Sequence, residues 1–478
     1  MLLAFEKDLI SVSIYLCFSF EEMSADMNII QIVSDTFRRD FLGCYGNNWI
    51  RTENLDRLAK ESMVFDKAYI ASFPTIPNRH DLFTGRYTFI YSKWAPLPRD
   101  EIILSQTLRQ AGYTTMLIVD TYHMIRDTHY FDRGFDGWWW IRGQEHDRYM
   151  TNPTQDPPER KKAFGTRYLQ NVSNRVYEED YFVAQTMTAA TRWLELNYDQ
   201  HDKFFLHIDT FDPHEPWDPP RWYAEMYDPD WKGGDVPGGA YVMGVKRPSA
   251  SDLTPEQLNR LRALYAGEVT LVDRWVGRLL QKIEDLGLLE DTAIMFTTDH
   301  GTYIGEHGYV GKKDELYEEV AHIPLIMRLP DSEGAPHGRC DAIVQSPDLM
   351  PTILDLAGAK IPPAVQGRSL LPVIKGEQTE EREIAVSSPS FVSSVLPSWI
   401  TVTSKQWALL AAIQNSDIDG GSEETVESKL YDLTKDPNET QNLYVEKTEV
   451  AEELRSEMIK FLRDLGAKEE VLNRYASK

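Results

Sequence analysis

The segment Ser72 to Arg86, SFPTIPNRHDLFTGR, sets a hydroxyl at Thr75, a proline at Pro77, a guanidinium at Arg79 and a Thr84-Gly85-Arg86 turn in quick succession. An alcohol followed closely by a fixed cation is the arrangement of a catalytic loop, in which the oxygen attacks and the cation faces an anion. A free alcohol is a weak nucleophile at neutral pH, so a partner must activate it. Two other places offer such partners. Asp35 follows the apolar run Asn28 to Val33, and Asp299-His300-Gly301 closes the run that starts at Thr292.

The elements that must position these groups follow from hydrophobic patterning. Asn28 to Val33, Lys203 to Phe211 and Thr292 to Gly301 read as buried strands with polar residues at their ends. Thr52 to Ser62 and Leu258 to Leu286 carry helical periodicity, and Ile103 to Val119 reads as helix, glycine turn and strand. Helices alternating with apolar strands predict an α/β fold, a mostly parallel sheet sandwiched by helices. Ligands in such sheets bind at the carboxyl ends of strands, where the candidate residues fall. Tyr130 to Tyr181 and the stretch from Trp217, WDPPRWYAEMYDPDWKGGDVPGG, are too long for plain connections and read as lids or substrate-binding insertions. Trp138, Trp139 and Trp140 read as packing residues. Short strands and a terminal helix, Val450 to Leu465, predict a smaller C-terminal α+β subdomain. The expected division is an extension over 1–26, a catalytic α/β domain over 27–370 and the subdomain over 371–478.

Composition narrows the function. Of 478 residues, 50 are Lys or Arg and 75 are Asp or Glu, a formal net charge of -25 that argues against nonspecific nucleic-acid binding. Cys17, Cys44 and Cys340 are odd in number and far apart, which fits a reducing, cytoplasmic setting rather than a disulfide scaffold. Ile10 to Phe20 is apolar but too short to span a bilayer. Residues 1–26 read as a disordered extension or upstream start, with a poor signal peptide as the rival. The partner expected is a small anionic ester, with neither nucleic acid nor membrane; self-association into a homo-oligomer is left open.

Six motifs in order resemble the sulfatase family of the alkaline-phosphatase superfamily: SDTFRRDFLGCYG, TIPNRHDLFTGR, DPHEPW, TTDHGTYIGEHGYVGK, VQSPDLMPTILDLAG and LYDLTKDPNETQNL. The resemblance implies an alkaline-phosphatase-like fold and a metal-dependent ester hydrolase, with Thr75 at the nucleophile position. Three departures stand out. Thr36 takes the place of a second aspartate, a variant similar to the phosphonate monoester hydrolase and phosphodiesterase branch. Thr75 cannot become formylglycine, which the family makes from Cys or Ser. The usual Gly-Lys-Trp-His segment is replaced by Val119-Asp120-Thr121-Tyr122-His123, without the lysine.

The resemblance further implies that Asp35, Asp299 and His300, with the Thr75 oxygen, form a ligand set for a divalent cation. Mn, Zn or Ca could fill it, of which Zn²⁺ and Mn²⁺ suit two carboxylates and an imidazole better than Ca²⁺, which prefers oxygen shells. Arg79 is expected to steady Thr75, and Lys312 and His214 to face the oxygens of the transferred group. His214 or His307 is the expected proton donor to the leaving oxygen. Asp120, His123 and His214 offer the ligand types of a second ion site. Threonine is the nucleophile in nucleotide pyrophosphatase/phosphodiesterases and phosphoethanolamine transferases of the same superfamily, so phosphate esters, diesters or phosphonates compete with sulfate esters. The rival functions are an inactive binding protein on the same scaffold and a transferase passing a phospho group to an alcohol.

Overall fold

The computed structural model describes residues 27–236, 249–334, 336–377, 382–392, 397, 399–412 and 427–476. The expected 1–26 extension, with Cys17, lies outside the described residues. Eight strands form the main sheet, in the order β11 (Gly338–Gln345), β2 (Met63–Tyr69), β10 (Leu325–Arg328), β7 (Thr292–Thr297), β1 (Asn28–Ser34), β6 (Phe204–Thr210), β4 (Thr114–Val119) and β5 (Gly137–Trp140). Only β10 runs antiparallel to its neighbours; the other pairs are parallel.

The central strands are buried on both faces because apolar side chains alternate to two cores. Ile29 and Val33 of β1 join one core with Ile76, Leu82 and Phe83 from helix Thr75–Thr84 and with helix Leu349–Leu356. Ile30 and Ile32 join the other with helices Phe182–Asn197 and Pro255–Asp285. The long helix starts where its sequence dictates: Thr254 caps it, accepting from Gln257 N at 3.2 Å, and Pro255 occupies its first turn. Among the described residues, no helix is long and apolar enough to cross a membrane.

A second sheet runs β15 (Lys429–Asp432), β14 (Trp407–Ala412), β13 (Trp399–Thr403), β12 (Ala385–Pro389) and β3 (Ser72–Phe73), and helix Thr448–Asp464 covers it through Leu454, Met458 and Leu462. An outlying pair, β8 (Tyr303–Ile304) and β9 (Val310–Gly311), follows the Asp299-His300 turn. The fold is thus a mostly parallel helix-covered sheet with a C-terminal unit of strands and helices. One expectation fails: Trp138 and Trp139 do not pack inward but are 47% and 44% exposed. They lie on β5, the sheet's edge, which has a neighbour on one side only.

Candidate active site

Three adjacent strands deliver three aspartates to one place. Asp35 follows β1, Asp299 follows β7, and Asp209 lies near the end of β6, in register with Val33. All three are fully buried. Such a cluster of like charges holds only if something neutralises it. Arg79 does part of this. Its Nε and Nη2 donate to Asp209 at 3.0 and 2.8 Å, while Nη1 lies 3.0 Å from Asp35 and also bonds Asp299.

Arg79 reaches the cluster because helix Thr75–Thr84 is buried along its whole length and points its first turn at the strand ends. The helix stops at Gly85, whose φ of 64° is the left-handed conformation that glycine adopts without penalty. A side chain there would also meet Val365 at 2.9 Å. Beneath the helix, the Asp81 carboxylate accepts from Ser72 N, Ser72 Oγ, Thr88 N and Thr88 Oγ1 at 2.6–2.9 Å and clasps the loop.

Thr75 opens this helix. Its Oγ1 lies 3.3 Å from His300 Nε2. His300 Nδ1 donates to Gly301 O at 2.8 Å, which leaves the Nε2 lone pair facing Thr75. Burial lowers the His300 pKa to about 3, so the ring is neutral. One ligand atom each from Asp35, Asp299 and His300 falls within 4.8 Å of the others. Burial, then the Asp299 charge, pushes Asp35 well above the usual carboxylate range. Burial also acts to raise Asp299, but Arg79 and His300 outweigh it and hold that carboxyl low. Among the described residues Asp35 Oδ2 accepts no hydrogen bond and has the Arg79 Nη1 ion pair at 3.0 Å as its contact. Arg79 is one guanidinium among three buried carboxyls, and the donor set of Asp35, Asp299 and His300 suits a divalent cation.

Thr75 also lines a cleft of 560 Å³, together with Trp94, Tyr122, His123, Glu145, His214 and Lys312. Lys312 Nζ is 2.5 Å from His214 Nε2, and His214 Nδ1 is 2.5 Å from Glu215 O. Burial lowers His214 to about 4, so it is a neutral ring accepting from the lysine. The Tyr130–Tyr181 insertion contributes Glu145 and His146 to the cleft wall.

The structure therefore brings together Asp35, Thr75, Arg79, Asp299 and His300, with His214 and Lys312 alongside. It does not bring His307 to the cleft. That ring stacks on Tyr317 with centroids 3.7 Å apart, and its Nε2 meets Glu319 at 3.2 Å. Nor is Asp120 available to a second ion with His123 and His214. It is buried, and its carboxylate already accepts from Thr186 Oγ1, Thr210 Oγ1 and Phe211 N at 2.8, 3.0 and 2.5 Å.

Sequence reading missed Asp209 and Glu145. A charge inside the apolar run FFLHIDTF was the available signal for Asp209. Glu145 gave none, since it lies in an irregular segment. Burial would raise its carboxyl, but the His123 ring bonded to it, then His214 and Lys312, bring it down from 4.5 to about 2. A depressed carboxylate contributes stability above its unfolded pKa and loses it as pH falls through its folded value. Glu145→Gln is therefore expected to flatten the decline in urea-unfolding stability between pH 4.5 and 2, by on the order of 2–3 kcal/mol. An unchanged slope would contradict this.

Comparison with known proteins places the chain. The family model described as Sulfatase matches residues 27–359, and that described as N-sulphoglucosamine sulphohydrolase, C-terminal, matches residues 305–467. An arylsulfatase of Clostridium perfringens is 27% identical over 490 residues, covering 92% of this chain and 94% of that protein. An N-acetylglucosamine-6-O-sulfatase of Bacteroides thetaiotaomicron is 27% identical over 421 residues, 73% of this chain and 71% of that protein. The solved phosphonate monoester hydrolase of Agrobacterium radiobacter shares the fold at a TM-score of 0.71 and 23% identity, over 92% of this chain and 95% of that one. With a family model spanning most of the chain and the site geometry above, this protein belongs to the sulfatase family.

Proposed function

We propose that the protein hydrolyses phosphate or phosphonate esters in preference to sulfate esters, with Thr75 as nucleophile. The observation that carries this reading is the placement of Thr75 Oγ1 3.3 Å from His300 Nε2, at the joint border of the Asp35-Asp299-His300 cluster and the open cleft. Asp35, Asp299 and His300 would hold a divalent cation there, which when bound supplies positive charge that favours the Thr75 alkoxide.

The protein's own groups do the rest. Esters of this kind ask for positioning and charge neutralisation more than for covalent chemistry. Arg79, fixed by three carboxylates, holds the first turn of the Thr75 helix in place. Lys312 presents a cation at the cleft surface, oriented by His214. Ester preference follows from the residue type at position 75. A formylglycine sulfatase frees its enzyme by elimination from a gem-diol, and threonine cannot form one. A phosphothreonine can be opened instead by water attack at phosphorus. The proteins described above include both sulfatases and, sharing the fold, a phosphonate monoester hydrolase, so the fold accommodates either ester.

The test is a substrate panel of aryl sulfate, phosphate monoester, phosphate diester and phosphonate monoester with added Mn²⁺ or Zn²⁺. Turnover of a phosphorus ester is expected; sulfate turnover with phosphorus esters inert would overturn the preference. Dialysis against a chelator is expected to abolish activity, and restoring the ion to recover it. At an ion concentration of about 100 Kd the folded state should gain about 2.7 kcal/mol, read as a rise in Tm. Undiminished activity after chelation, with no ion by metal analysis, would remove the cation from the mechanism.

A further inference from the structure

We propose that His123 is a catalytic residue that protonates the departing ester oxygen, with Glu145 as its positioning residue. This rests on the hydrolase reading above.

His123 Nε2 lies 2.7 Å from Glu145 Oε2, and among the described residues no protein group bonds His123 Nδ1. The imidazole is 19% exposed and the carboxylate 4% exposed, and both line the cleft that Thr75 borders. A buried carboxylate on one ring nitrogen fixes the ring and stabilises the imidazolium, while the other nitrogen faces the reactant. Trp94 meets the ring edge-on at 5.1 Å, and Tyr122 and Phe211 pack at 4.3 and 6.2 Å. Glu145 adopts φ 44°, a left-handed conformation that costs a non-glycine residue and persists only where its surroundings impose it.

His214 is poorly suited to the same task. One nitrogen is committed to Glu215 O and the other faces the Lys312 ammonium, so the ring has no proton to offer the cleft. The charged and titratable groups around His123 are Glu145 and His146 from the insertion, Tyr122, Arg126, Asp127 and His129 from its own segment, and His214 and Lys312 across the cleft. Among the described residues only Glu145 bonds its side chain.

In the step, Thr75 as alkoxide forms a bond to the central phosphorus. The bond from phosphorus to the ester oxygen breaks, its electron pair stays on that oxygen, and the Nδ1 proton of the imidazolium moves to it. The alcohol leaves and His123 is neutral, retaining its Nε2 proton toward Glu145. When water opens the phosphothreonine, Nδ1 takes the water's proton and the imidazolium is restored.

The experiment compares His123→Gln and Glu145→Gln on two phosphodiesters, one with a p-nitrophenyl leaving group and one with an alkyl leaving group. A good leaving group needs no acid. For His123→Gln, kcat on the alkyl ester should fall about 10²–10⁴-fold and on the p-nitrophenyl ester less than about 10-fold. Glu145→Gln should fall less on the alkyl ester, with the alkaline limb of its pH–rate profile moved to lower pH. Equal losses on both esters, or none, would overturn the proposal, as would a bound metal ion lost from His123→Gln, which would make the ring a ligand. Wild-type protein inert to every phosphorus ester would instead sink the hydrolase reading beneath it.

Discussion

Thr75→Ala is expected to lower kcat on its best ester by about 10⁴-fold or more, because among the described residues no other hydroxyl borders both the His300 imidazole and the cleft. Residual activity would reflect charge neutralisation by the remaining groups acting on water. The side chain is 2% exposed, so alanine leaves a small buried gap of one hydroxyl and one methyl, a cost of about 1–2 kcal/mol that the fold should survive. Thr75→Ser keeps the oxygen and loses one methyl, and should retain activity to within about 10²-fold. Acid quenching during turnover should trap phosphate on Thr75 in the wild type, on the replacement hydroxyl in Thr75→Ser, and on no residue in Thr75→Ala. Full activity in the alanine variant, with no trapped phosphate in the parent, would end the nucleophile assignment.

Arg79→Met is expected to destabilise the fold by about 3–5 kcal/mol, measured by urea unfolding at pH 7. The methionine would leave Asp35, Asp209 and Asp299 facing one another across hydrocarbon, all wholly buried. The sign with pH can be worked out. Burial raises Asp209 and Asp299, but Arg79 more than reverses this and holds both below the usual carboxylate range. Their contribution is therefore present above the unfolded value of 3.8 and lost as pH falls. The gap between wild type and Arg79→Met should narrow in acid. Arg79→Lys should not rescue, since one ammonium cannot make the paired bonds to Asp209 while reaching Asp35 and Asp299. A loss under about 1 kcal/mol would show that the carboxylates are neutralised by other means.

Much of the scaffold was legible because its strands obey simple rules. The runs that became β1, β6 and β7 are mostly apolar, as a sheet covered on both faces requires, while the helix read from Leu258 begins at Pro255, behind a Thr254–Gln257 cap that periodicity alone does not reveal. The grouping of Asp35, Asp299 and His300 came from the family resemblance, and their meeting at neighbouring strand ends of a parallel sheet agrees with it. What stayed hidden depended on side-chain direction rather than on type. Asp120 stands at a strand end like Asp35, but turns into Thr186 and Thr210. His307 shares a segment with His300, yet its backbone at φ 52° carries it toward Glu319. Glu145 reaches the cleft from a loop whose path no periodicity encodes.

The two-residue strand β3 has a consequence for anyone hoping to shorten this enzyme. Ser72 and Phe73, immediately ahead of Pro74 and Thr75, pair with Ser388 and Pro389 of β12, and Ser388 N bonds Ala71 O at 2.9 Å. The Thr75 hydroxyl is thus seated partly on chain made some three hundred residues later. A fragment ending before Ala385 would carry every proposed ligand and still lack the rail on which the Thr75 loop rests.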